Sequence, residues 1–377
     1  MPITVTPADS RSDHRAFVDF PFRLYAESDY WVPMLRRDAL ALIDEKKNPF
    51  FEHGLMQPYL ARNEKGEIVG RIAAIQNGAH LETFDDATGF FGFFECINDY
   101  GVARALLDAA AGWMRGMGLK AMRGPANPSL NDTAGLLVDG FDLQPSVMMP
   151  YNPAYYEDFL RRWGFETQTE MLSLYVHAKY MDPSKLFRGD EIVRKRLPGL
   201  TVRGLDPKRF DEDVAAAMKI YNDGWEKNEG FVAMTDAEAK HLASELKPIL
   251  VPELFLFAER DGEPVGFSVS LPDFNQALRY VKSGKLTPGN LIGLIARAKM
   301  GTITDLRMPL MGARQDYQGK GLDAVLIAET IRRGRKMGFL GCELSWVLAD
   351  NKRLLLALER MGAVIDKRYV LLEAPLD

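Results

Sequence analysis

The chain has 377 residues, 47% apolar and 26% charged, and its 47 basic and 52 acidic residues leave a formal charge of −5. At roughly 150 residues per domain this length predicts two domains, or three. The composition excludes disorder and collagen-like repeats, and the acid excess offers no footprint for nucleic acid. Two cysteines, Cys96 and Cys342, make no disulfide framework, and no Cys/His spacing suits zinc, so no metal is expected. No apolar run reaches the roughly 18 residues of a membrane span. The segment MPITVTPADSRSDHR lacks a signal peptide's apolar core, which predicts a protein of the reducing cytoplasm.

In chain order, the first strong signal is residues 59–76 (YLARNEKGEIVGRIAAIQ), two alternating strands around a polar Gly-Glu turn. Residues 89–95 (GFFGFFE) follow as a strand with Phe91, Phe93 and Glu95 on one face, and a carboxylate in that setting is expected to titrate high. Val102, Ala105, Leu106, Ala109, Ala110, Trp113 and Met117 mark one face of a helix stopped by Gly118. Asn127-Pro128-Ser129-Leu130-Asn131-Asp132 is a polar loop after a strand, and turn chemistry alone accounts for it. Asn152-Pro153 reads as a helix cap with Pro at the first helical position. Tyr156, Phe159, Leu160 and Trp163 then form a core stripe that Tyr151 and Tyr155 fall off. Charged, Pro-bearing residues 182–198 read as a linker.

Residues 255–271 (FLFAERDGEPVGFSVSL) repeat the hairpin, with Gly70 and Gly266 196 apart. Residues 274–304 hold Arg279, Lys282, Lys285, Arg297 and Lys299 and no acid, beside Leu291, Ile292, Leu294 and Ile295. That is either a solvated basic face over the sheet or a contact for an anionic membrane surface. A strand at 306–313 leads to Gln318-Gly319-Lys320-Gly321 and a helix through Leu322, Val325 and Leu326, stopped by Gly338. A strand at 342–347, Asn351, a helix, Gly362 and a strand at 369–373 complete the chain. Met117-Gly118 and Met337-Gly338 lie 220 apart, and Trp163-Gly164-Phe165 and Met361-Gly362-Ala363 lie 198 apart. The chain therefore reads as two copies of one αβ unit, 1–180 and 200–377, the second with a basic insertion at 274–304.

This order of elements resembles the GNAT superfamily of acyl-CoA-dependent N-acyltransferases, with its mixed α/β fold. The resemblance rests on Gln318-Gly319-Lys320-Gly321 between a strand and a helix, and on Asn351 eleven residues ahead of Gly362. Residues 48–54 (NPFFEHG), 89–95, 123–142 (RGPANPSLNDTAGLLVDGFD) and 148–156 (MMPYNPAYY) resemble the family that contains bacterial ceramide synthases, tandem GNAT-like proteins of about this length. The resemblance implies transfer of a long-chain acyl group from acyl-CoA, or an acyl carrier, to the amine of a sphingoid base, 3-oxosphinganine or sphinganine. It further implies no permanently bound cofactor. For a base-type acceptor carrying hydroxyl, keto and amine groups, Asn127, Asn131 and Asp132 are candidate contacts, with Tyr151 and Tyr155.

A pyrophosphate needs free backbone N–H groups at a helix N-terminus, and Gly319 and Gly321 let it come close to the main chain while Lys320 adds charge. The corresponding residues of the first half are Asn98-Asp99-Tyr100-Gly101, where one glycine is lost and Asp99 would repel phosphate. The cofactor is therefore expected on Gln318, Gly319, Lys320, Gly321 and Asn351 of the second half, with the thioester near Met311 and Ala313 and its oxyanion held by a strand N–H. Gly321→Glu is expected to abolish CoA binding with little change in melting temperature. Two departures stand out: Asp323 follows the loop and could cap its helix, and Leu358 replaces the tyrosine that many GNAT proteins use as general acid. The thiolate can leave as the anion, since a thiol's pKa is about 8.5. Glu343 and Glu95 are the candidate catalytic carboxylates, each also explicable as a group at a strand end. Two alternatives stay open: a transferase for another amine, such as a peptide, an amino sugar or an aminoacyl group, and a non-catalytic acyl-CoA or lipid binder.

Overall fold

In a computed structural model of the chain, residues 2–225 and 232–376 are described. The chain divides into two compact units: Met1–Met171 with Leu278–Ala296 and Lys367–Asp377, and Leu172–Ala277 with Arg297–Asp366.

The first unit opens with β1 (Thr4–Pro7), α1 (Arg11–Leu24) and α2 (Arg36–Leu42). The hairpin β2 (Gly54–Arg62) and β3 (Ile68–Asn77) follows, then α3 (Gly78–Phe84), β4 (Thr88–Cys96), α4 (Tyr100–Gly116) and β5 (Ala121–Gly124). A short ribbon, β6 (Ala126–Asn127) with β7 (Thr133–Ala134), precedes β8 (Leu136–Asp139), α5 (Tyr155–Trp163) and the start of β9 (Glu166–His177). β1 to β4 form an antiparallel meander, and β5 pairs parallel to β4.

The second unit repeats the pattern. Its elements are α6 (Ser184–Arg196), β10 (Leu200–Gly204), α7 (Phe210–Trp225), α8 (Asp236–Leu246), and the hairpin β11 (Phe255–Arg260) and β12 (Glu263–Pro272). α9 (Asn275–Leu278) leads out to α10 (Pro288–Lys299), most of which belongs to the first unit, and the second unit resumes with β13 (Asp305–Ala313), α11 (Leu322–Met337), β14 (Gly341–Leu348), α12 (Lys352–Arg360) and the start of β15 (Val364–Pro375), which from Lys367 on belongs to the first unit. β10 to β13 are antiparallel neighbours, and β14 is parallel to β13.

The repeat holds at the glycine that opens each hairpin's second strand. Gly70 pairs with Ala61 and Cys96, and Gly266 pairs with Ala258 and Ala313. In each case the crossing helix presses a leucine onto the glycine: a Cβ would stand 2.7 Å from Leu106 at Gly70 and 3.2 Å from Leu322 at Gly266. Each helix thus seats against bare backbone where a side chain would hold it off.

Residues 182–198 are largely the helix α6 and not a linker. Apolar periodicity misses it because much of its anchorage is ionic. Asp190, 2% exposed, takes hydrogen bonds from Arg194 and Arg332, each at 2.6 Å, while Val193 packs against Leu322, Val325 and Leu326.

Candidate active-site groups in the two units

In the first unit β4 and β5 pair only at Thr88, Gly89 and Phe90, then part. The free end of β4 carries a bulge where Phe93 adopts a left-handed φ of 52°. This irregularity breaks the expected alternation. Phe91 and Phe94 turn into the core beside α4, whereas Phe93 lies 5.9 Å from Phe17 of α1 and Glu95 faces Tyr25 and Arg71. Asn127 Oδ1 accepts from the Phe93 N–H at 2.6 Å, so its place is to hold the bulge.

Glu95 gathers the polar groups of this unit. Its Oε2 accepts from the Tyr25 hydroxyl at 2.7 Å and the Tyr156 hydroxyl at 2.8 Å, and Arg71 lies 3.9 Å from Oε1. Burial pushes the Glu95 carboxyl above the usual range, against the opposing pull of Arg71 and the two phenols. Burial and the Glu95 charge raise both tyrosines well above theirs. Tyr155 donates to the Cys96 carbonyl at 2.8 Å beside this cluster. Tyr151 donates to the Phe141 carbonyl at 3.0 Å and packs edge-on to Tyr25. Ser129 draws the loop together, donating to Asp132 at 2.7 Å and accepting from the Asn131 N–H at 3.1 Å. Asn152 does not cap α5 but accepts from the Leu137 N–H and donates to the Leu137 carbonyl, and Ala154 stands at the cap position.

At the start of α4, Asp99 Oδ1 accepts from the Gly101 N–H at 2.7 Å. The carboxylate occupies the place where an external anion would sit, and its charge suits the helix dipole. This helix end is closed to phosphate.

The second unit differs at that place. Gly321 heads α11 with φ 88°, and no side chain caps the helix. Asp323 is exposed and leaves the end uncapped. Gly319 has φ 72° and no atom within 4 Å of where a Cβ would be. Lys320 lies over the Tyr317 ring at 4.7 Å. Gln318 donates to the Gly224 carbonyl at 2.8 Å, anchoring the loop to α7. The loop therefore fits a pyrophosphate: a bare helix end, two left-handed glycines and a cation.

β13 and β14 pair from Asp305 and Gly341 as far as Met308 and Leu344, then part as β4 and β5 do. Met311 and Ala313 lie beyond that point on β13, which β12 covers on its other edge. Asn351 caps α12, its Oδ1 accepting from the Leu354 N–H at 3.2 Å. Leu358 is 3% exposed, in the core beneath α12.

One face of this sheet is apolar: Leu172, Leu174, Met308 and Leu344 pack with Leu358 and Met361. Strand alternation puts Arg307, Glu343 and Ser345 on the other face. Glu343 is 1% exposed and accepts from the Ser345 hydroxyl at 2.8 Å, with Arg307 3.9 Å away. Arg307 donates to the Ser345 hydroxyl at 3.0 Å. A buried carboxylate balanced by a buried guanidinium can hold an ammonium or take its proton.

Of the groups the sequence suggested, the structure joins Glu95 with Tyr155 in the first unit and clusters Gln318, Gly319, Lys320 and Gly321 in the second. Tyr25, Arg71 and Tyr156 were missed. Tyr156 sits on the core stripe as expected, but its hydroxyl reaches past the core to Glu95. Tyr25 lies in a segment without a pattern. Among the described residues no group of His, Cys, Asp and Glu could hold a metal, and no helix is long and apolar enough to cross a membrane.

No family model matches the chain. Protein YghO of Escherichia coli (strain K12) is 32% identical over 375 residues, covering 97% of this chain and 93% of that protein. The bacterial ceramide synthase of Caulobacter vibrioides is 32% identical over 380 residues, covering 99% and 98%. Among solved structures, a tandem GNAT protein from the clavulanic acid biosynthesis pathway superposes with a TM-score of 0.60 at 11% identity, over 100% of this chain and 99% of its own. A GCN5-related N-acetyltransferase from Sphaerobacter thermophilus gives 0.54 at 13% identity, over 99% and 96%. At such identities the structural likeness speaks to the fold alone.

Proposed function

The chain belongs to the tandem GNAT-like family that contains the bacterial ceramide synthase, and from that premise we propose that it joins a long-chain acyl group to the amine of a sphingoid base, 3-oxosphinganine or sphinganine. It is an N-acyltransferase; the lipid identity of both substrates is the proposal. The observation that carries the division of labour is the contrast between two equivalent helix ends. α4 is closed by Asp99, while α11 is headed by Gly321 and bears no cap. The second unit is the donor half, and the first unit, which has lost its anion site, serves the acceptor.

In this reading the pyrophosphate of acyl-CoA rests on Gly319, Lys320, Gly321 and the first turn of α11, with Gln318 holding the loop in place and Asn351 fixing α12. The thioester lies beside Met311 and Ala313, where the parting of β13 from β14 leaves main-chain groups on one edge of β13 for the oxyanion. A protonated amine cannot attack, so Glu343 takes its proton or holds it while it is lost to solvent. The nitrogen adds to the carbonyl carbon and gives up its second proton to solvent, the tetrahedral intermediate collapses with breakage of the C–S bond, and CoA leaves as thiolate. With Leu358 in the core no phenol protonates that sulfur, and a leaving group of pKa about 8.5 needs none. In the first unit Glu95, Asn131 and Asp132 are the acceptor-facing groups, with Tyr151 and Tyr155 framing them and Asn127 setting the bulge. Both substrates are amphiphiles, so the reaction belongs at an anionic membrane surface.

The test is to incubate the purified protein with palmitoyl-CoA and either base, following thiol release and the amide by mass. Amide formation with at least one base supports the proposal. Turnover with a peptide or amino sugar and with neither base moves the protein to another acceptor. Tight acyl-CoA binding without turnover on any amine makes it a binder.

A further inference from the structure

α10 presents Leu291, Ile292 and Ile295 to solvent, 43%, 68% and 47% exposed. At 3.6 residues per turn these three lie within about 100° of arc, so they form one apolar stripe. A soluble helix ordinarily turns such a stripe inward, and an exposed one marks a contact. The turn before the helix is basic: Arg279, Lys282 and Lys285 are exposed, and residues 274–304 hold no Asp or Glu in a chain that is acidic overall. Tyr280, 55% exposed, stands among these charges with the Arg279 guanidinium beside its ring.

This segment is held in place. The Arg36 N–H donates to the Gly284 carbonyl at 2.9 Å, and the Arg36 side chain donates to the Ser283 carbonyl at 2.7 Å. A Cβ at Gly284 would stand 2.5 Å from the Phe22 ring, so the turn lies flat on α1. Asn290, in the first turn of α10, donates to the Lys285 carbonyl at 2.7 Å and locks the basic turn to the helix. An ordered element thus exposes an apolar stripe with cations at its leading end and no acid of its own.

We propose that α10 and the basic turn before it dock the protein on an anionic lipid bilayer, the stripe entering the headgroup boundary and the cations meeting acidic headgroups. Charge complementarity favours this occupant over another protein, because the stripe alone would suit either and the acid-free basic turn suits a uniformly anionic surface. The inference takes its purpose from the lipid substrates proposed above, but its test needs no turnover, so either can fail alone.

The test is co-sedimentation with vesicles of phosphatidylcholine alone and of phosphatidylcholine with phosphatidylglycerol, at low and high salt. Wild type is expected to pellet with the anionic vesicles at low salt and to be released by salt. Replacing Lys282 and Lys285 with alanine should weaken partitioning by roughly 5-fold for each charge lost. Ile292→Asp with Ile295→Asp should abolish it without changing the melting temperature, since both side chains are exposed. Wild type that stays in the supernatant, or a doubly substituted stripe that pellets like wild type, would overturn the proposal. So would a wild-type dimer that the stripe variant converts to monomer with no vesicle binding by either, which would assign the stripe to a second copy of the chain.

Discussion

Tyr156 ties Glu95 to the backbone beside it: its hydroxyl donates to Glu95 Oε2 at 2.8 Å and accepts from the Cys96 N–H at 2.8 Å. One phenol thus fixes both the carboxylate and the strand end that carries it, with Tyr25 on the same oxygen at 2.7 Å.

The titration of Glu95 can be read from stability. Burial raises its folded pKa above the ordinary carboxylate value, so the folded state holds the proton more tightly than the unfolded chain. Its contribution is greatest below the unfolded pKa and falls as pH climbs toward the folded one. Glu95→Gln removes that slope. The melting temperature of the variant relative to wild type should therefore be more favourable near pH 7 than near pH 4. An unchanged difference across that range would mean that Glu95 keeps an ordinary pKa.

Glu95→Ala should be far costlier, because it removes the acceptor shared by the Tyr25 and Tyr156 hydroxyls and the charge that balances the buried Arg71. A loss of about 3–5 kcal/mol is expected. Denaturant unfolding measures it directly.

The donor loop separates binding from folding at Lys320 better than at Gly321. A Cβ at Gly321 would stand 2.7 Å from Val193, in a backbone with φ 88°, so Gly321→Glu should destabilise the fold by about 1–3 kcal/mol. That contradicts the expectation from sequence of an unchanged melting temperature. Lys320 is exposed, and Lys320→Glu should lower CoA affinity by on the order of tenfold or more with the melting temperature unmoved. Calorimetric titration with CoA checks it.

Glu343→Gln keeps an acceptor for the Ser345 hydroxyl but cannot take a proton. A loss of roughly 10²–10⁴ in kcat is expected, eased at high pH where the amine is already neutral. A variant with wild-type kcat across the pH range would remove Glu343 from the chemistry.

Asp99→Ala should cost about 1 kcal/mol by uncapping α4. Because only the second unit is read as binding CoA, the affinity and the ratio of one CoA per chain should not change. A second CoA bound by the wild-type chain would overturn the asymmetry.

Much of the fold was legible because its signals are local. The two hairpins with their equivalent glycines Gly70 and Gly266, and the loop ahead of Leu322, all follow from spacing along short segments. α6 was not legible, since a buried Asp190 shared by two arginines leaves no apolar rhythm. At the site, Glu95 stood out as a carboxylate ending an aromatic strand. The left-handed Phe93 that turns it toward α1 is a tertiary outcome, fixed by Asn127 more than thirty residues on. Tyr25 and Arg71 reach Glu95 from elements whose own sequence gives no hint of the meeting.

The last residues of β15 close the first unit's sheet: Leu372 pairs with Gly124 and Pro375 with Ala121. β5 thus has no partner on this side until residues 372–375 are made. On the ribosome β5 emerges early and then waits for some 240 residues of synthesis before its partner appears. Until then its open edge invites pairing with other nascent chains. Cutting off the last ten residues should accordingly harm the beginning of the protein more than its end.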